Sequence, residues 1–166
     1  MKVGVLSDTH LRAGDDPAPL HGIVEKYFSD CPYILHAGDL VHLDHFYQII
    51  PEGARLVAVA GNMDGPEVAQ ALARRTIVEI QGRRIGIVHG HGSPTNVYRV
   101  AADEFAPDEV DAIVFGHSHQ PFNMVVNDVL MFNPGSPTDR RFAPYRSVGM
   151  LDVGSTIEGR IIRLED

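Results

Sequence analysis

Five apolar runs in this chain each end in a short polar cluster, and this repeated arrangement is the feature that most restricts its fold. The loops that follow the strands of an open α/β sheet meet at one edge, so such clusters bring sequence-distant side chains together. Carboxylate, amide and imidazole ligands spread over several strand ends are what a site for two metal ions requires. The clusters are Asp8-Thr9-His10, Gly38-Asp39, Gly61-Asn62-Met63-Asp64, His89-Gly90-His91 and Gly116-His117-Ser118-His119.

The spacing of apolar residues predicts an α/β chain. Residues 2–7 form a β-branched run, and Leu20, Val24 and Phe28 belong to one apolar helix face. Further strands are predicted at 33–37, 55–60, 76–80, 83–88, 111–115, 122–126, 129–132, 147–153 and 156–164, and further helices at 43–50, after Pro66 and at 95–105. The segments 76–88 and 122–132 read as hairpins. We therefore expect a parallel portion from the early strands and an antiparallel portion from the late hairpins.

Length and composition favour one soluble domain over residues 1–166. The single cysteine, Cys31, excludes a disulfide framework and a Cys-based zinc site, and it fits a reducing, cytoplasmic compartment. The first polar cluster begins at Asp8, which leaves no room for a secretory signal before it. No apolar stretch approaches the roughly 20 residues of a membrane-spanning helix.

The formal net charge of −8 argues against a dedicated nucleic-acid or acidic-membrane binder. It does not exclude a small phosphoester substrate. Two carboxylates that face two divalent ions leave a local charge of about +2, which attracts an anion. The sequence does not predict an oligomeric state.

Two pairs of candidate ligands are spaced two residues apart. If the backbone stays extended, Asp8 and His10 point to one side, as do His117 and His119. Taken singly, the first pair also fits a strand-end turn and the second a pair of surface-loop imidazoles.

The other three clusters supply single ligands. Asp39 has two carboxylate oxygens and is the candidate to bridge two ions, although Asp is also a common helix N-cap. Asn62 offers an amide oxygen or acts as a turn residue, and His89 is a ligand or a structural histidine. Because all five structural alternatives would have to hold together, the joint metal site is the better interpretation.

The series Asp-x-His, Gly-Asp, Gly-Asn-x-Asp, His-Gly-His and Gly-His-x-His resembles that of the calcineurin-like metallophosphoesterase superfamily, in particular its small prokaryotic phosphodiesterases. The resemblance extends from Asp8 to the loop at 133–136. It implies a four-layer α/β/β/α sandwich of two mixed β-sheets flanked by helices. It also implies one ion bound by Asp8, His10, Asp39 and His119 and a second bound by Asp39, Asn62, His89 and His117.

By the same resemblance we expect two Mn²⁺ ions, with Ni²⁺, Fe²⁺, Co²⁺ or Zn²⁺ as alternatives, and a hydroxide bridging the metals as nucleophile. We assign catalytic roles to Asp39, Asn62, Asp64 and His91. Many relatives carry a proton-donating histidine where this chain has Met63, whose thioether donates no proton. Since general acid catalysis contributes about 10²–10⁴-fold, its loss favours activated phosphodiesters over alkyl phosphomonoesters.

Several further residues are candidates for contact with the substrate. His91, and after it His36 and His42, are possible replacement proton donors, although each also fits an ordinary loop or helix histidine. Arg12, Arg140 and Arg141 could bind a phosphate or simply be solvated charges. The alternative functions are a phosphomonoesterase and a catalytically weak interaction scaffold, of the kind known from the retromer subunit that resembles phosphoesterases.

Overall fold

The computed structural model describes residues 1–165, apart from the side chain of His45. The strands are β1 (Lys2–Leu6), β2 (Tyr33–His36), β3 (Arg55–Ala58), β4 (Arg75–Ile80), β5 (Arg83–Val88), β6 (Ala112–Val114), β7 (Phe122–Val126), β8 (Val129–Asn133), β9 (Ser147–Val153) and β10 (Ile157–Arg163). The helices are α1 (Ala18–Phe28), α2 (Leu43–Ile49), α3 (Pro66–Ala71) and α4 (Val97–Glu104). None of the helices in this described part of the chain has the length and apolarity needed to cross a bilayer.

The strands form two mixed five-stranded sheets. The first has the order β10-β9-β1-β2-β3, with β1, β2 and β3 parallel, β9 antiparallel to β1 and β10 antiparallel to β9. The second has the order β4-β5-β6-β8-β7, with β5, β6 and β8 parallel. The hairpins β4–β5 and β7–β8 are antiparallel, as predicted.

The expected parallel portion from the early strands and the expected antiparallel hairpins are both present, but they do not form separate sheets. The final hairpin joins the first sheet through β9, and the second sheet has a parallel centre. Apolar periodicity identifies a strand but not its neighbour, because either kind of pairing buries the same alternating face.

Alternation along the strands separates four layers. Val5 of β1 and Ile87 of β5 belong to one buried cluster between the two sheets. On the outer face of the first sheet, α1 and α2 pack through residues such as Phe28 and Phe46. On the outer face of the second, α4 packs through Val97 and Ala101. The α/β/β/α sandwich implied by the resemblance is thus confirmed.

The direction of the strands determines where the polar clusters meet. The clusters follow β1, β2, β3, β5 and β6, while β4 runs antiparallel to β5 and ends at the opposite edge. Backbone hydrogen bonds join the resulting loops: Asp8 donates to the carbonyl of Gly38 (3.0 Å), and Gly116 donates to the carbonyl of His89 (3.1 Å). One edge of the sandwich therefore carries all five clusters.

Candidate metal centre

The loops after β1, β2 and β6 bring a first group of donor atoms together. His119 Nε2 lies 3.3 Å from His10 Nε2 and 3.3 Å from Asp8 Oδ1. Asp39 Oδ2 lies 3.8 Å from His10 Nε2. Ligand bonds of about 2.1 Å place neighbouring donors of one ion roughly 3 Å apart, so this spacing suits a shared metal ion.

A second group of donors lies beside the first. Asn62 Oδ1 is 3.0 Å from both His89 Nε2 and His117 Nδ1. Asp39 Oδ2 is 3.3 Å from His89 Nε2, so this one oxygen belongs to both groups. The structure thus brings together all seven residues that the sequence predicts as metal ligands. They form the two donor groups described, and Asp39 belongs to both.

The hydrogen bonds of Asp8 fit a cation at this place. Its carboxylate is fully buried, and Oδ2 accepts hydrogen bonds from the Ser7 hydroxyl (2.6 Å) and the His117 N–H (3.1 Å). Oδ1 accepts none. A buried carboxylate oxygen without a partner is costly, and a bound cation removes that cost. The donor set, all oxygen and nitrogen, is one that divalent ions accept.

Backbone carbonyls orient two of the imidazoles. His89 Nδ1 donates to the carbonyl of Ala37 (2.7 Å), which leaves Nε2 facing the site, where it can bind a metal ion once it has lost its proton. His117 Nε2 donates to the carbonyl of Gly92 (3.0 Å), which leaves Nδ1. Metal-binding histidines are commonly held by such contacts at the ring nitrogen that does not bind the metal.

The charges of the site favour cation binding. Burial opposes ionisation of Asp39, but hydrogen bonding to His89 and to the Met63 N–H keeps its pKa below the ordinary value. Burial also disfavours the charged form of His89, yet Asp39 and Asp8 raise the pKa of His89 to about 9. At His10 burial dominates and lowers the pKa. The metal-free site therefore holds ionised carboxylates that attract a positive charge.

The backbone at the ligands is left-handed rather than extended. Five of the seven have positive φ angles: Asp8 (53°), His10 (46°), Asp39 (58°), His117 (68°) and His119 (56°). The expectation of extended backbone at 8–10 and 117–119 is therefore wrong, although both pairs reach the site. Such conformations cost about 1–3 kcal/mol per residue and concentrate at functional sites.

Asp64 holds the loops that carry Asp39 and Asn62. One of its oxygens accepts the N–H groups of Asp39 (2.9 Å) and Gly61 (2.7 Å), and the other accepts the N–H of Val41 (2.6 Å). The structure therefore gives Asp64 a positioning role. Asp64 does not line the cavity into which the site opens.

Asp39 is held in the same way. Its Oδ1 accepts the N–H of Met63 (2.7 Å), which leaves Oδ2 for the metal site. The residue does not serve as a helix N-cap, since that position of α2 is His42.

Two glycines of the clusters are required by close approach. A Cβ atom at Gly61 would lie 2.2 Å from Asp39 Oδ1, and one at Gly116 would lie 1.9 Å from the Ser7 hydroxyl oxygen. Both distances are far inside van der Waals contact. Only glycine allows these two loops to come so close to the carboxylates.

Residues after β8 also support the site, and ligand chemistry alone does not point to them. Buried Asn133 donates to the carbonyl of Gly116 (3.0 Å) and to the Ser118 hydroxyl (3.1 Å). The Ser136 hydroxyl donates to the carbonyl of Asp8 (2.8 Å). The loop at 133–136, noted in the sequence for its resemblance alone, thus joins the loops that carry both ligand pairs.

The site opens into a cavity of about 740 Å³. Its lining includes five of the predicted ligands and also Met63, Arg12 and Arg141. His91 is exposed and does not line the cavity, and neither do Arg140 and His42.

Buried His36 is placed as a structural histidine. Its Nδ1 accepts the N–H of Gly38 (3.2 Å), and its Nε2 lies 3.0 Å from the Thr9 hydroxyl. Burial lowers its pKa to about 3, so this imidazole is neutral near pH 7 and does not act as an acid.

The model of the calcineurin-like phosphoesterase superfamily domain matches residues 1–156. A "probable metallophosphoesterase" of Methanocaldococcus jannaschii is 35% identical over 171 residues, which cover 100% of this chain and 83% of that protein. A phosphodiesterase of the same organism is 28% identical over 148 residues, which cover 81% and 83% of the two chains. A solved structure described as a novel archaeal phosphodiesterase superposes with a TM-score of 0.77 at 27% identity and covers 99% of this chain and 100% of its own. The chain belongs to the calcineurin-like phosphoesterase superfamily.

Proposed function

We propose that this protein is a phosphodiesterase that binds two divalent cations and hydrolyses small phosphodiesters. The observation that carries the proposal is the position of Asp39 Oδ2, which lies 3.8 Å from His10 Nε2 in one donor group and 3.3 Å from His89 Nε2 in the other. Two ions bound there would stabilise charge on a phosphoryl group and lower the pKa of a water between them.

The chain's own residues supply position and access. The Met63 N–H and the Asp64 carboxylate fix the loop that presents Asp39. Asn62, His117 and His119 line the cavity, so a phosphoryl group in the cavity is next to the donor atoms. We expect Mn²⁺ by analogy with the family, and Ni²⁺, Fe²⁺, Co²⁺ and Zn²⁺ accept the same ligands.

Met63 supports the preference for diesters with good leaving groups. Its side chain is 56% exposed and lines the cavity, where it offers no proton to a departing oxygen. Hydrolysis of esters with poor leaving groups is therefore expected to be slow. A relative described as a phosphodiesterase supports the choice of a diester as substrate. We place the protein in the cytoplasm, in keeping with the free, buried Cys31.

The test is hydrolysis of bis(4-nitrophenyl) phosphate and 4-nitrophenyl phosphate by chelator-treated protein reloaded with Mn²⁺, Ni²⁺ or Zn²⁺. We expect metal-dependent activity with the diester preferred, and two ions per chain by elemental analysis. Asp39→Asn is expected to lower kcat by at least about 10²-fold, because it removes the charge shared by both donor groups. Asp44→Asn, at an exposed residue in the first turn of α2, is the matched control.

Two results would count against this function. Preference for the monoester would favour the phosphomonoesterase alternative. Binding of less than half an equivalent of metal would favour the scaffold alternative.

The role of Met63 has its own test. Met63→His places an imidazole in the cavity and is expected to raise turnover of alkyl phosphodiesters more than that of nitrophenyl esters, since only the former need a proton donor. Equal effects on both substrate classes would contradict the assignment. Met124→His, at another exposed methionine that does not line the cavity, controls for a new surface histidine.

A further inference from the structure

Apolar side chains line the same cavity as the donor atoms, and we call them the apolar wall. Leu11, Leu20 and Ile23, from the loop after β1 and from α1, line the same cavity as the ligands. Phe142, from the segment after β8, also lines it. A volume of about 740 Å³ lies within the range of sites that enclose drug-sized ligands, so a ring-sized substituent fits beside the phosphoryl group.

Phe142 is the aromatic side chain of this wall. It is 52% exposed, although a phenyl ring gains most when it is buried against another apolar surface. It lies in a cavity lining with other apolar residues, which distinguishes it from a phenylalanine scattered singly on the surface. An occupant of the cavity that carries a flat ring would cover it.

The backbone at Phe142 is fixed relative to the metal site. The Gln120 amide, next to the ligand His119, donates to the carbonyl of Phe142 (2.7 Å). Thr138 and Asp139, which precede Phe142 in this segment, also contact the loops that carry the candidate ligands. The Thr138 hydroxyl donates to the carbonyl of Thr9 (2.9 Å), and Asp139 Oδ2 lies 3.3 Å from His119 Nδ1. A pre-positioned contact surface loses less entropy when a ligand binds.

The strand order separates the loop that carries Leu11 from the loop that carries Met63. Leu11 follows β1 and Met63 follows β3, and β2, which carries Asp39, lies between these strands. At about 4.8 Å per strand spacing, the two loops begin roughly 10 Å apart. Leu11 and Met63 therefore belong to two different loops of the site, with the loop that carries Asp39 between them.

We propose that Phe142 and the adjoining apolar wall form a subsite for an aromatic or heterocyclic ring on one ester group of the substrate. The substrate class is then a ring-bearing phosphodiester, such as an aryl or nucleobase-containing ester, rather than a dialkyl ester. This proposal rests on the proposed function for the location of the phosphoryl group. Phe142 acts as a specificity residue and takes no part in the reaction.

Binding tests the subsite without turnover. In Mn²⁺-loaded protein, phenylphosphonate is expected to bind about five- to tenfold more tightly than methylphosphonate by isothermal titration calorimetry. Phe142→Ala removes this difference and leaves methylphosphonate affinity and Mn²⁺ stoichiometry unchanged. Phe142→Tyr retains it, because the ring is kept. Tyr47→Ala, at a 59% exposed aromatic residue outside the cavity, is the matched control and retains it too.

Measurements of kcat/KM with two diesters determine whether the subsite binds a ring on the leaving group or on the ester group that stays on the phosphorus. Bis(4-nitrophenyl) phosphate and methyl 4-nitrophenyl phosphate share a leaving group and differ in the group that stays. A fall in kcat/KM for Phe142→Ala with the first substrate alone assigns the ring to the retained group, and a fall with both assigns it to the leaving group. Equal phosphonate affinities in the unsubstituted protein, or a ring preference that survives in Phe142→Ala, overturn the subsite. Preferential phenylphosphonate binding without hydrolysis of either diester would instead refute the proposed function and leave the subsite standing.

Discussion

Asp64→Asn is the substitution that best tests how the ligand loops are held. The carboxylate accepts three backbone N–H groups at 2.6–2.9 Å, from Asp39, Val41 and Gly61. The amide introduced by this change has one oxygen, so at least one of these N–H groups would face an NH₂ donor. The others would bond to a neutral acceptor.

The expected cost follows from these contacts. Hydrogen bonds to a charged group contribute about 1.5–3 kcal/mol each, and those to a neutral group contribute about 1 kcal/mol. One bond is lost and two are weakened around a half-buried carboxylate. These contributions sum to roughly 2.5–7 kcal/mol. Because solvent reaches the half-buried carboxylate, the free energy of unfolding is expected to fall by an amount at the lower end of this range, about 2.5–4 kcal/mol. Because the loops carry Asp39 and Asn62, Mn²⁺ affinity is expected to fall about 10–100-fold.

Urea unfolding with chelator present measures the first quantity, and calorimetric titration with Mn²⁺ measures the second. Asp103→Asn, at an exposed residue of α4, is the matched control, with an expected change of less than about 0.5 kcal/mol. If Asp64→Asn matches this control in stability and Mn²⁺ affinity, the carboxylate does not hold the loops and the reasoning fails.

Three further predictions concern the same frame. Gly61→Ala is expected to lower Mn²⁺ affinity at least about tenfold in calorimetry, since its Cβ would lie 2.2 Å from Asp39 Oδ1, whereas Gly65→Ala, with no atom within 4 Å, should change little. Asn133→Ala breaks three hydrogen bonds of a buried side chain and is expected to cost about 2–4 kcal/mol in urea unfolding, so a cost below about 1 kcal/mol would contradict the role of the loop. The pKa of His89 is raised from 6.5 to about 9 in the metal-free protein, so its stabilising contribution is complete below about pH 6.5 and is lost as the pH rises through about 9. The Tm of the chelated protein should fall over this interval, while the increase in Tm caused by Mn²⁺ grows, because the metal binds the neutral imidazole. A Tm increase independent of pH would contradict competition between the proton and the metal at His89.

Local signals predicted the elements, because each is visible within a short window. The apolar face of α1 is buried at Leu20, Val24 and Phe28, as the spacing predicts. The turn Gln81-Gly82 joins the predicted hairpin, with φ angles of 54° and 72°. Pairing between distant strands lacks such a signal. The position of β9 beside β1 depends on which edge remains free once β2 and β3 have paired, and no short window contains that information.

The residues that carry the candidate donor atoms were predictable from the sequence, and the residues that support them were not. Asp, Asn and His at strand ends restrict the chemistry by their donor atoms alone. The roles of Asp64 and Asn133 depend on backbone N–H and C=O groups, which every residue has, so residue type does not indicate them. The same holds for the left-handed backbone at His10 and His119, a conformation that the extended-strand expectation excludes.

Hydrogen bonds from neighbouring residues hold the loops of the candidate ligands in place without a contribution from metal ions. Asp64 bonds to loop N–H groups, and Ser136 bonds to the Asp8 carbonyl. Neutral His36 connects the Gly38 N–H with Thr9. None of these contacts uses a donor atom that faces the metal site, so none has to break when an ion binds. These hydrogen bonds thus stabilise the left-handed backbone at five of the candidate ligand residues. The donor atoms are therefore already in position before a cation binds. A change in this frame therefore acts on metal affinity first, while a change at Phe142 acts on the choice of ester.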